Sequence, residues 1–238
     1  MRPDRGSASP AQSQTGAPKH PLLRPRDAAS IMLLDRSGKR VRVLMGKRHS
    51  AHAFMPDLYV FPGGRRDPTD HRLGFSGDLN PTVLRALTTS EGRPITDGRA
   101  RALALAAARE LFEEAGVCLG RQLNPSGALL PFLPDLTNLR YMARAITPPG
   151  QSRRFDTRFF AVFADEAEID PSEVLDSREL QDLQWIDVND FSSLQVPEIT
   201  AIILADLRSG LESDASLPAE RSVPFYFTRR GRFLRTLL

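Results

Sequence analysis

Arg109-Glu110-Leu111-Phe112-Glu113-Glu114-Ala115-Gly116-Val117 is the stretch on which the reading of this chain turns. It closes an Ala/Leu-rich segment that begins at Arg99, and Gly116 is the residue type that ends helices in the left-handed conformation. The pattern predicts a helix over Arg99–Ala115. Each helical residue turns by about 100°. With Glu110 at zero, Glu113 falls about 60° to one side and Glu114 about 40° to the other. The three carboxylates therefore share one face. Ala104, Ala108, Leu111, Phe112 and Ala115 share another that can pack on a sheet. Like charges at these spacings cost about 0.2–0.5 kcal/mol per pair. They also crowd the helix end where the macrodipole disfavours negative charge. A cation should offset this, and hard divalent ions with oxygen ligands are natural candidates. Taken alone, the three glutamates read equally well as the solvated face of a surface helix.

Outward from this helix, strands and helices mix without strict alternation, which argues for a layered α/β or α+β domain. Ala28–Leu34 and Val41–Lys47 read as strands joined by the turn Asp35-Arg36-Ser37-Gly38. Leu58–Phe61, Leu139–Ile146, Arg158–Ala164 and Leu180–Ile186 read as further strands, and Pro81–Thr88, Val188–Leu194 and Pro197–Leu207 as helices, the last ending at Gly210. Residues 1–25, rich in Pro, Ser, Gly and Gln, bury too little to offset chain entropy and read as a disordered tail before a domain at 26–238. The tail's arginines also suit a mitochondrial presequence, but it has no apolar face at helical spacing.

The 238 residues are 41% hydrophobic and 26% charged, as in an ordinary globular protein. No run approaches the length of a membrane span, and none near Met1 resembles a signal peptide. A single cysteine, Cys118, excludes an intramolecular disulfide and a Cys₄ zinc site, so a reducing, cytoplasmic setting is expected. The net charge is +3, and residues 1–30 alone carry five basic and two acidic side chains, which accounts for all of it. The basic balance thus says little about nucleic-acid binding by the folded part. Arg229, Arg230, Arg232 and Arg235 with Phe225, Tyr226 and Phe227 read as a solvated C-terminal segment or a rim that attracts anions, rather than an RNA surface. Cys118 and Trp185 read as core, and His49 and His52 as loop residues.

Arg109 to Val117 fills the second half of the Nudix box at every specified position, and Phe61-Pro62-Gly63-Gly64 resembles the glycine turn that opens it. The chain thus resembles the Nudix hydrolases over about residues 26–210. The resemblance implies a Nudix-type α/β/α sandwich with a mixed sheet, hence fold class α/β. The box is interrupted: Gly64 and Arg109 lie 45 positions apart, about 31 more than the family pattern allows. This places an insertion at about 71–98, expected as a surface excursion outside the core. Asp70 stands where the pattern, counted from Gly64, wants a glutamate; counted from Arg109, that place falls on Arg101.

An enlarged box, the approach Phe54–Gly64 and the segment Arg154–Phe160 resemble a subgroup that includes an animal peroxisomal coenzyme A diphosphatase. The coenzyme A signature's Arg and Gly are here Ala53 and Asp57. The resemblance implies a diphosphatase acting on a nucleoside diphosphate linked to another moiety. Coenzyme A or acyl-CoA leads, with ADP-ribose, nucleotide sugars or dinucleoside polyphosphates as alternatives. A non-catalytic nucleotide-binding module and a prenyl-diphosphate isomerase are competing classes. It further implies Glu110, Glu113 and Glu114 as ligands of Mg²⁺ or Mn²⁺, and Arg109 as the residue that fixes the helix against the glycine turn. Glu179 is the candidate general base, and Arg65, Arg66 and Arg158 the candidate substrate-binding cations. The expected partner is a small-molecule diphosphate, not nucleic acid or a membrane; a homodimer stays open.

Overall fold

In the first strand, β1 (Arg26–Asp35), Ala28–Leu34 is apolar but for Ser30, which marks a strand covered on both faces. The computed structural model describes residues 23–48, 57–89, 94–123 and 129–238 and places β1 inside the main sheet. Ala29, Ile31 and Leu33 face one core, while Met32 and Leu34 face a second. The chain continues through β2 (Arg42–Arg48), β3 (Tyr59–Val60), β4 (Gly63–Arg65), α1 (Pro81–Thr88) and α2 (Asp97–Ala115). Next come β5 (Gly120–Gln122), β6 (Phe132–Pro134), β7 (Arg140–Ile146), β8 (Phe155–Phe163) and β9 (Leu180–Asp187). It ends with α3 (Glu198–Ser213), β10 (Pro224–Arg229) and β11 (Arg232–Leu237).

Among the described residues, nine strands form a mixed sheet in the order β11-β10-β7-β8-β1-β2-β3, with β4 also paired to β1 and β9 to β2. The β1–β8 and β7–β10 pairs are parallel and the others antiparallel. α2 packs on the Ile31 side, and α3 contributes Ile203, Leu204 and Leu207 to the Met32 side. The result is the expected α/β/α sandwich. Alanine explains how closely α2 lies on the sheet: Ala100, Ala104, Ala107, Ala108 and Ala115 are all fully buried. Thr96 caps the helix by accepting the Arg99 N–H at 3.2 Å, and Gly116 ends it at φ +72°.

Four expectations need correction. The segment at 71–98 is not a surface excursion: Leu79, Val83 and Leu87 are at most 3% exposed and join the core beneath α2. Val83 and Leu87 are one helical turn apart, so α1 has a buried face of its own. Val188–Leu194 forms turns rather than a helix. The Asp187 side chain accepts the Asn189 N–H at 2.9 Å and its carbonyl the Asp190 N–H at 3.0 Å, and such local bonds compete with helix. α3 does not stop at Gly210 but runs to Ser213; that glycine makes room for Leu217 and Arg221. The C-terminal segment is more than a solvated stretch: β10 and β11 form a hairpin extending the sheet, which buries Phe225 and Tyr226 while Arg229, Arg230 and Arg232 stay exposed. Arg230 and Gly231 make its turn at φ +52° and +74°, the signature of a type I′ hairpin. Residues 1–22, His49 and His52 lie outside the described residues.

Candidate active site

β4 pairs antiparallel with β1, setting Gly64 opposite Ala29 and Gly63 opposite Ser30. This lays the glycine turn against the second half of α2. A methyl group on Gly64 would fall on the Glu110 carboxylate, so glycine there is a requirement of close approach. The Gly63 N–H donates to Glu114 Oε2 at 2.8 Å.

Arg109 is the hub. Its Nε and Nη2 donate to the two oxygens of Asp70 at 2.7 and 3.2 Å, and its Nη1 donates to Glu110 at 2.9 Å and Glu113 at 2.7 Å. Nη2 also donates to the Arg65 carbonyl at 3.2 Å, just past the glycine turn. Asp70 is wholly buried and also accepts the Asp67 N–H at 2.6 Å. Burial opposes the Arg109 charge, but the hydrogen bond to Asp70 and the charges of Glu110, Asp70 and Glu113 hold its pKa above the usual arginine value.

Glu110 and Glu114 are 8% and 7% exposed. Burial, helped by the charges of Glu113 and Glu179, pushes Glu110 up to about 7 against the opposing pull of Arg109. Burial and the charges of Glu110 and Glu179 push Glu114 up to about 8, although the Gly63 N–H and the Arg48 charge resist. Glu113 is half exposed. All three offer oxygen only, the donor chemistry of a hard divalent cation, and the two buried ones carry charge that such an ion would relieve. Among the described residues, no three His, Cys, Asp or Glu side chains are gathered closely enough to hold an ion as they stand. Arg109 occupies Glu110 and Glu113, and the Gly63 N–H holds Glu114.

Glu179 is exposed at the start of β9, close enough for its charge to act on both buried glutamates. Arg48, opposite Leu180 in the β2–β9 register, brings a cation to Glu114 that nothing in the local sequence pattern signals. Arg101 is drawn away from the site and donates to Asp78 of the insertion at 2.8 Å. Two of the three substrate-binding candidates, Arg66 and Arg158, converge on Asp27. Arg65 is exposed, while Arg66 lies 3.4 Å from Asp27. Arg158 is 1% exposed and paired with Asp156, because it lies on the side of β8 that packs beneath α2. Cys118 is half-buried rather than core, with its thiol pushed up by burial and the Glu173 charge. It lines a cleft of about 630 Å³ with Arg121, Asp135, Glu166, Glu168 and Glu173. Trp185 is also half-buried, and its indole donates to the Pro171 carbonyl at 3.1 Å.

Residues 98–207 match the family model described as NUDIX domain. The chain carries a Nudix domain. The matched span holds α2 and all three glutamates, but Gly63, Gly64 and Asp70 precede it, as an interrupted box requires. The Caenorhabditis elegans protein named "Putative nudix hydrolase 7" is 31% identical over 182 residues, covering 68% of this chain and 51% of that protein. The chain therefore spans about half the length of this relative. The crystal structure of a NUDIX hydrolase from Alicyclobacillus acidocaldarius superposes with a TM-score of 0.57 at 25% identity, over 77% of this chain and 91% of that one. In this Nudix domain no helix among the described residues is long and apolar enough to cross a membrane.

Proposed function

We propose that this Nudix domain is a metal-dependent hydrolase that cleaves the diphosphate bond of a nucleoside diphosphate linked to another moiety. The observation that carries the reading is the pair Glu110 and Glu114, buried one turn apart against Gly63 and Gly64, with carboxyl groups pushed to about 7 and 8. Burying two carboxylates side by side is costly and has a purpose if a cation joins them. Glu110, Glu114 and a Glu113 turned away from Arg109 would hold Mg²⁺ or Mn²⁺. A cation held there neutralises the diphosphate and lowers the pKa of the attacking water.

The chain's own groups do the rest. Arg109, anchored on Asp70, fixes the helix against the glycine turn. Glu179 takes the proton of the attacking water on its carboxylate, its charge already acting on the buried pair. The water oxygen bonds to one phosphorus while the bridging P–O bond breaks, and the leaving phosphate keeps the electron pair. Coenzyme A or acyl-CoA is the substrate class we put first, in a reducing, cytoplasmic setting. Parallel assays of coenzyme A, dephospho-CoA and ADP-ribose test it. Coenzyme A should be turned over fastest, giving 3′,5′-ADP and a phosphopantetheine. Much faster cleavage of ADP-ribose would overturn the substrate class and leave the hydrolase reading standing.

A further inference from the structure

Asp27, at the start of β1, is one carboxylate among three arginines. Arg99, in the first turn of α2, grips it with Nε at 2.7 Å and Nη2 at 2.8 Å. Arg66 Nε stands 3.4 Å away and Arg158 Nη1 3.7 Å away. Next to it, Asp156 accepts two bonds from Arg144, both 2.8 Å, and pairs with Arg158 at 2.9 Å. Strand register explains the gathering: Asp27 lies opposite Asp156, Ala29 opposite Arg158, and Arg158 opposite Arg144.

Among the described residues, the cluster holds four guanidinium groups, which stay protonated, and two carboxylates. Arg99 and Arg144 each grip one carboxylate with two bonds, and Arg66 and Arg158 share the same two carboxylates at 3.4 and 2.9 Å, so the six groups carry two more positive charges than negative. Arg158 is 1% exposed, and its Nε has no hydrogen-bond partner among the described residues. Buried charges are normally paired and buried donors bonded, so this surplus is an unfilled demand for an anion. Arg66 and Arg99, with side chains 25% and 44% exposed, carry the demand to the surface. Phosphate answers it well, because its oxygens match the fork of a guanidinium.

We propose that Arg66, Arg99 and Arg158, gathered around Asp27, form a phosphate subsite for a phosphate group that the substrate carries apart from its scissile diphosphate. Its role in turnover rests on the hydrolase reading above; phosphate binding does not. Gly64 touches Glu110, and Arg66 follows two residues later, about 7 Å along extended chain. Arg99 lies eleven residues before Glu110 on α2, about 16 Å along the axis. A substrate engaging both places needs a nucleoside-sized spacer between its two phosphate centres.

The test titrates inorganic phosphate into the full chain with EDTA at constant ionic strength, followed by ³¹P line width, so that the glutamate site plays no part. Binding should saturate, and Arg66→Gln should weaken it about tenfold, as the loss of one charge-assisted bond does. Arg36→Gln, which disturbs a remote pair with Asp165 and Glu166, should leave it unchanged. In a second arm with Mg²⁺, Arg66→Gln should lower kcat/KM for a diphosphate substrate bearing an additional phosphomonoester and spare its dephosphorylated counterpart. Non-saturable binding, or binding that survives both Arg66→Gln and Arg99→Gln in folded protein, would overturn the subsite. Equal loss for both substrates would overturn its role in substrate choice.

Discussion

Arg109 and Asp70 are 39 residues apart in the chain, and the guanidinium of one donates twice to the wholly buried carboxylate of the other. The pair closes the insertion: it brings the segment just past the glycine turn back to the helix that carries the glutamates. Breaking a buried pair from one side strands the other charge, which costs about 3–5 kcal/mol. Asp70→Ala should therefore lower the thermal midpoint by several degrees and depress turnover together with it. Asp70→Glu should recover more of both than Asp70→Asn. Thermal unfolding and initial rates on the three variants check this.

The two exposed consequences of the glutamate face separate stability from activity. Glu114→Gln removes a buried charge that repels Glu110, so the metal-free protein should be at least as stable as the parent. Its kcat should nevertheless fall by orders of magnitude, as should that of Glu113→Gln. Near-normal turnover in both variants would remove these residues from the site.

The same burial sets a pH dependence. Glu110 and Glu114 have folded pKa values of about 7 and about 8, above the 4.5 of a free glutamate. The folded state thus binds more protons than the unfolded one between these limits, and stability falls as pH rises. Metal-free protein should lose thermal stability steadily from pH 5 to 8, and Glu114→Gln should flatten the profile. Added Mg²⁺ should stabilise more at pH 8 than at pH 5, because it competes with those protons.

Sequence alone carried α2 and its glutamates well, because helical periodicity and the Gly116 cap are local. Apolar runs likewise marked β1, β2, β7 and β8 to within a few residues. Asp70 could be named as an acid at the box's glutamate place but not as the partner of Arg109, since the insertion breaks the spacing that relates them. The Asp27 cluster was invisible because it depends on the parallel register of β1 and β8, set by tertiary packing. For the same reason no local pattern showed that Arg158 is buried beside Asp27. The C-terminal hairpin has a local signal in Arg230-Gly231 between two apolar stretches, masked by the density of arginine around it.

Burial of α1 predicts that the insertion is needed for folding. Val83→Ala or Leu87→Ala should cost about 1–4 kcal/mol, in the range for truncating buried apolar side chains. Joining Asp70 directly to Gly98 through a short linker should leave α2 without its cover and give an unfolded or aggregating chain. Circular dichroism melts settle both; a shortened chain with parental stability would restore the view of 71–98 as a surface excursion.

The central claim is that the buried glutamates of α2 serve diphosphate hydrolysis. The direct measurement is mass-spectrometric product analysis over coenzyme A, acyl-CoA, ADP-ribose, NADH and sugar nucleotides, with Mg²⁺ or Mn²⁺, for the parent chain and Glu114→Gln. The parent should cleave at least one substrate at its diphosphate bond, and EDTA or Glu114→Gln should abolish the cleavage. No cleavage of any diphosphate by folded, metal-loaded parent, or cleavage that persists in Glu114→Gln, would contradict that claim.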